Sequence, residues 1–104
     1  MTTGPHYRPE DVARLARAGR VVATARVVSW LMNHDYDAAE TLVEVLVGVA
    51  RSGRHLGSTT LRNGEVADEY AVTFDQDDWY LKFYVDGDRV IVNVWSCCWD
   101  GTVH

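Results

Sequence analysis

Two short stretches hold the residue types best suited to chemistry. The segment RHLGSTT places His55 beside Arg54 and close to Ser58, Thr59 and Thr60. An imidazole exchanges protons near neutral pH, so His55 is a candidate general base or acid. In a regular strand His55, Gly57 and Thr59 point one way and Leu56, Ser58 and Thr60 the other. A Ser–His pair then shares no face unless the strand is bulged, which Gly57 permits. Read without chemistry, the segment is an ordinary polar strand. The second stretch, WYLKFYVDGDRVIVNVW from Trp79 to Trp95, presents Tyr80, Lys82, Tyr84, Arg89 and Asn93. Phenols, an amide and cations on one rigid surface suit a small anionic ligand, with aromatics stacking on bases and Lys or Arg meeting phosphate. Lys82 is the only lysine in the chain. The plain alternative for this surface is the solvent face of a one-sided sheet.

Other constellations are weaker. Cys97 and Cys98 with His104 raise the question of a metal, but structural zinc takes about four ligands at recognisable spacings and no second CxxC is present. Neighbouring cysteines rarely bridge. Asp75, Asp77 and Asp78 resemble part of an oxygen-ligand loop, yet the EF-hand glycine and closing glutamate are missing, and a solvated turn fits better. No P-loop, dinucleotide glycine pattern or GxSxG occurs. Neither a metal nor a cofactor is expected.

These residues need elements to hold them. Asp86-Gly87 is a preferred pair for a two-residue type I′ turn. Counting outward pairs Phe83 with Val90, Leu81 with Val92 and Trp79 with Val94 on a core-facing side. Tyr84 with Arg89, Lys82 with Ile91 and Tyr80 with Asn93 fall on the other. Asn63-Gly64 predicts a second hairpin, joining His55 to Arg62 with Val66 to Phe74. Upstream, a first helix starts near Pro9 with Glu10 and Asp11 at its positive end, and Gly19 stops it. Val21 and Val22 form a brief extended or turn segment. Thr24 caps a second helix that ends at Asn33, His34 and Asp35. Asp37 and Glu40 resemble a capping box opening a third, whose Leu42, Val43, Leu46 and Val49 give helical spacing. The expected fold is α+β: three N-terminal helices on one face of an antiparallel sheet of about four strands, as a single domain over residues 1–104. The segment from Ser96 to His104 reads as a tail.

Composition sets outer limits. Apolar residues make up 47% and charged residues 24%, which argues for a folded globule rather than disorder. No run approaches the roughly 18 apolar residues of a membrane span, and no secretory leader pattern opens the chain, so a cytoplasmic location is the default. The net charge of −5 is unevenly spread. Residues 1–54 hold seven arginines against six acids, while residues 55–104 hold Arg62, Lys82 and Arg89 against nine acids. An acidic protein gains little long-range steering toward phosphate, so nucleic acid would have to be met by a local basic patch.

The chain resembles the MqsR-type toxins of bacterial toxin–antitoxin pairs, within the wider RelE-like ribonucleases. The likeness runs from about residue 5 to 95. It is carried by Pro5-His6, then Val12, Leu15, Gly19 and Val21, the Asp35–Val49 helix, Ser58-Thr59-Thr60, Asp68 and Tyr70, Tyr80-Leu81-Lys82 and Val90-Ile91-Val92. The resemblance implies a RelE-like fold and an endoribonuclease that cuts mRNA without metal through the RNA's own 2′-OH, neutralised by a cognate antitoxin protein. Tyr80 stands at the family's catalytic-site tyrosine. The family's other site positions are not matched: Leu56 replaces a lysine, Ala67 a glutamine and Trp95 a lysine. In this chain His55, Tyr80 and Lys82 would then be the catalytic candidates, with Arg54, Arg62, Tyr84, Arg89 and Asn93 meeting substrate. The alternative is a retained fold that has lost its chemistry and binds a protein partner through its acidic sheet.

Overall fold

The computed structural model describes residues 4–101. In chain order it contains α1 (Pro9–Arg17), β1 (Val21–Ala23), α2 (Ala25–Asn33), α3 (Ala38–Ser52), β2 (Arg54–Thr60), β3 (Val66–Phe74), β4 (Asp77–Asp86) and β5 (Ile91–Trp99). The helix boundaries follow from local chemistry. Pro9 occupies the first turn of α1, where a missing N–H costs nothing. Its end is a Schellman turn: Gly19 at φ +75° sends its N–H to Ala16 O, and Arg20 N–H reaches Leu15 O. The Thr24 hydroxyl accepts from Val27 N–H at 3.2 Å to open α2. The Asp37 carboxylate accepts from Glu40 N–H at 3.0 Å to open α3.

The sheet has five strands in the order β1-β5-β4-β3-β2 and is mixed, because β1 lies parallel to β5. The brief segment at Val21 is therefore a true edge strand, and four antiparallel strands are one too few. Its three residues carry too little pattern to be read as a strand. They become one because α1 and α2 flank them and Val21 lands opposite Val92. Residues 96–99 belong to β5, while the end of the expected tail, including His104, lies outside the described residues.

The central hairpin closes differently from the expected two-residue turn. Asp86 pairs with Ile91, and residues 87–90 form a four-residue loop. The Asp86 carboxylate accepts from the N–H groups of Asp88 and Arg89, and Arg20 grips the carbonyls of Arg89 and Val90 from outside. This side-chain turn outcompetes the type I′ geometry that Asp-Gly favours. Phe83 consequently faces Val94 rather than Val90, Leu81 faces Cys97 and Trp79 faces Trp99, with Trp95 inserted as a bulge. Between the loop and the bulge the shift is four residues, and an even shift preserves sidedness. Val92 and Val94 thus remain inside, while Val90 leaves the core for the loop at φ +53°. The type I′ turn lies elsewhere, at Asp75-Gln76, both at positive φ between the paired Phe74 and Asp77. Asp77 and Asp78 are therefore strand residues rather than loop.

The core lies between the helices and one sheet face. Val12 and Leu15 of α1, Val27 and Leu31 of α2, and Leu42, Val45, Leu46 and Val49 of α3 meet Tyr70, Val72, Trp79, Leu81, Phe83, Val92 and Val94. Trp79 is fully buried, and its indole N–H is satisfied by Phe74 O at 2.9 Å. None of the described helices is long and apolar enough to cross a membrane.

Candidate functional site

The edge strand β2 carries the first candidate residues. His55 pairs with Tyr70 but Gly57 pairs with Glu69, so Leu56 is the extra residue of a bulge and its side chain is half exposed. The bulge sends His55 and Ser58 to the same side of the strand, with Nε2 and Oγ 3.3 Å apart. That is the condition under which the sequence allowed a Ser–His pair. The side is the helix-bearing one, where the His55 ring meets Tyr70 at 5.4 Å between centroids.

Asp68 organises this corner. Its side chain is fully buried, yet it accepts from the Ser58 hydroxyl at 2.6 Å, from His6 N–H at 3.0 Å and from Tyr7 N–H at 2.9 Å. His55 Nε2 stands 3.5 Å from the same Oδ1. A buried carboxylate is tolerated only when its lone pairs are filled in this way. The Tyr7 hydroxyl donates to Val66 O at 2.6 Å and its ring lies against Phe83, so residues 6 and 7 are strapped across the start of β3. The strap and the bulge together form an open cleft lined by Gly4, Pro5, His6, His55 and Ser58. Its volume of about 480 Å³ falls within the range of small-ligand sites.

This arrangement is not a serine-nucleophile triad. Ser58 gives its proton to Asp68 rather than to His55, and Asp68 approaches the same ring nitrogen as Ser58 instead of the opposite one. Asp68 and Ser58 instead hold Nε2 in place. Among the described residues Nδ1 has no hydrogen-bond partner, and the side chain is 16% exposed.

The other sheet face holds most of the remaining candidates. Cross-strand partners share a face. Arg54, Ala71, Tyr80 and Cys98 make one row; Gly57, Glu69, Lys82 and Ser96 the next; Val22, Asn93 and Tyr84 a third. The bulge at Trp95 brings its ring within 6.3 Å of Tyr84. Glu69 sits in the middle. It accepts from the Tyr80 hydroxyl and from Thr59 Oγ1 at 2.7 Å, bonds that hold its carboxyl below the usual carboxylate range, with Lys82 adding to the effect. Burial, together with the hydrogen bond to Glu69, pushes the Tyr80 phenol well above its ordinary value. Tyr80 is therefore a committed donor to Glu69.

The sequence candidates are thus divided. Arg54, Tyr80, Lys82, Tyr84 and Asn93 share the open face, while His55 points to the opposite one. Arg89 was expected opposite Tyr84 but lies in the β4–β5 loop, where Asn93 takes its place. Arg62 lies in the β2–β3 loop at the same end of the sheet, beside the Asn63 amide that reaches Tyr84 OH at 3.5 Å. Leu56 is the exposed bulge residue, Ala67 is fully buried and Trp95 stands edge-on to Tyr84.

Cys97 is buried in the core and Cys98 lies beside Tyr80. Burial pushes both thiols up, that of Cys98 to about 11. Among the described residues no group of three or more His, Cys, Asp or Glu side chains is placed to hold a metal ion. His104, the third residue of that idea, lies outside the described residues.

Two residues of this corner entered the sequence reading only as part of the resemblance, not as site candidates. Asp68 had a signal: it alternates with Tyr70 and Val72 on the apolar side of β3, and an acid there needs partners. His6 had none, because only the strap brings it to β2. Comparison with known proteins finds no match, neither to a family model nor to a curated sequence.

Proposed function

We propose that the protein is a metal-free endoribonuclease of the MqsR toxin kind, with a RelE-like fold, acting on cytoplasmic mRNA and neutralised by a cognate antitoxin. The order and spacing of short motifs over residues 5 to 95 support the family. The observation that carries the activity is the His55 imidazole, which lines the cleft and is gripped through Nε2 by Ser58 and the buried Asp68. RNA cleavage through the 2′-OH needs no external nucleophile, only a base, an acid and charge stabilisation. Arg54 precedes His55 on the edge strand and faces the other side, the face that also carries Lys82. Tyr84 and Trp95 offer a stacking surface on the open face.

The test is incubation of purified protein with single-stranded RNA and with the same sequence lacking 2′-hydroxyls, both in excess chelator. Cleavage confined to RNA and abolished by His55→Ala is the expected result. Intact RNA under all salt conditions, with no growth arrest on induced expression, overturns the reading.

A second reading has its own observation. Glu69 occupies the centre of the open face and ties up Tyr80, where an RNA phosphate would meet a carboxylate. On that reading the chain is an inactive member of the fold that binds a basic protein surface. Charge reversal at Glu65, Glu69 or Asp88 would then abolish binding, and binding that survives all three reversals counts against it.

A further inference from the structure

We infer that His6 and His55 act together as the acid–base pair for RNA phosphodiester transfer, with the N-terminal strap as an integral part of the site. The inference rests on the ribonuclease reading above and names the second proton-transfer group that it requires.

One carboxylate oxygen places both residues. Asp68 Oδ1 accepts the backbone N–H of His6 at 3.0 Å and stands 3.5 Å from His55 Nε2, so positions 6 and 55 are referenced to a single buried atom. His6 is bound there through its backbone, and as an exposed residue it lines the same cleft as His55. The Tyr7 ring braces the His6 ring edge-on at 4.7 Å, and the Tyr7 hydroxyl anchors the strap to Val66. Two imidazoles lining one open cleft, one with a carboxylate behind it, supply the two groups that proton transfer on both sides of a phosphorus needs.

The step balances without metal or co-reactant. His55 Nδ1 takes the proton of the ribose 2′-OH, and the Asp68 carboxylate behind Nε2 stabilises the imidazolium that forms. The 2′-oxygen attacks phosphorus as the bond to the 5′-oxygen breaks, and His6 in its protonated form delivers a proton to that leaving oxygen. The products are a 2′,3′-cyclic phosphate and a 5′-hydroxyl end. The charged and titratable groups around the pair are Asp68 and Tyr70 from β3, Glu69 in whose field His55 also lies, and Glu10 from α1 near the Tyr70 hydroxyl.

The experiment compares wild type, His6→Gln and His55→Gln as full chains. His6 donates to Asp68 only through its backbone, so His6→Gln keeps the strap in place. Each variant is expected to lose about 10²–10⁴-fold in RNA cleavage, and the double variant little more than either alone. Rate against pH should be bell-shaped for wild type, as an acid and a base acting together require. One limb should be missing from each variant. Adenosine 3′-monophosphate should shift the His6 and His55 ring resonances together. His34, stacked on Trp30, serves as the internal control and stays put. If wild type cleaves RNA and His6→Gln stays within threefold of it, the pair is overturned while the ribonuclease reading stands. If wild type does not cleave, both fall, even where the nucleotide still moves the two rings.

Discussion

Replacing Asp68 by Asn tests whether one buried carboxylate holds the corner together. The change preserves shape, so no cavity confuses the result. An amide offers one acceptor oxygen and one N–H₂ donor where the carboxylate offered two acceptors. With its oxygen at Oδ1 the new side chain keeps the Ser58 and His6 bonds and turns a donor toward Tyr7 N–H. Flipped, it keeps Tyr7 and loses the other two. The first arrangement costs less. It forfeits one charge-assisted bond of about 1.5–3 kcal/mol and weakens two more, while the relief of a buried charge returns part of that. The net expectation is a loss of about 2–3 kcal/mol, which lowers the urea midpoint by roughly 1–3 M for a chain of this size. Fluorescence of the four tryptophans, Trp79 fully buried among them, reports the global transition, and amide exchange at Tyr7 reports the strap. Tyr7 protection should drop well below that of β4 amides. A variant within about 0.5 kcal/mol of wild type, with Tyr7 protection intact, refutes the argument that Asp68 fastens the strap.

Three further outcomes follow from the same geometry. Tyr80→Phe removes the main cause of the lowered Glu69 carboxyl and should cost about 1–2 kcal/mol at pH 7. Because the folded value is depressed, that contribution is present above the unfolded value near 4.3 and is lost as pH falls through the folded one. Wild-type and variant stabilities should therefore converge in acid, and a gap that stays constant to pH 2 speaks against the assignment. Gly48→Ala gains about 1 kcal/mol of helix propensity in α3 but sets its Cβ 2.8 Å from Val72 Cγ1. Overpacking of about 1–3 kcal/mol should outweigh the gain, and thermal melting decides the sign. Cys97 and Cys98 are held as neutral thiols, so alkylation of native protein at pH 8 should be at least ~10²-fold slower than of unfolded chain. Fast labelling of either contradicts the burial.

Local chemistry was legible without any structure. Thr24 and Asp37 as caps, Gly19 as a stop and the apolar spacing of Leu42, Leu46 and Val49 each depend on neighbours a few residues away, and these elements form where expected. The inward set Trp79, Leu81, Phe83, Val92 and Val94 was also readable, since alternation assigns sidedness whatever the exact register. The register itself was not readable. Asp-Gly favours one turn in isolation, but Asp86 found two N–H groups in the loop, and Arg20, distant in sequence, found two carbonyls there.

The candidate site divides along the same line. Residue types along β4 announced a face with Tyr80, Lys82 and Tyr84, and the fold keeps them together because they alternate on one strand. That His55 belongs to the opposite side with Ser58, and that it shares a carboxylate with His6, depends on contacts spanning up to 62 residues and on one inserted residue in an edge strand. Periodicity is a property of neighbours, and a chain carries it wherever it goes. Which distant groups fill the lone pairs of a buried Asp68 is settled only when strap, bulge and sheet close around it, because no residue near Asp68 in sequence supplies those donors.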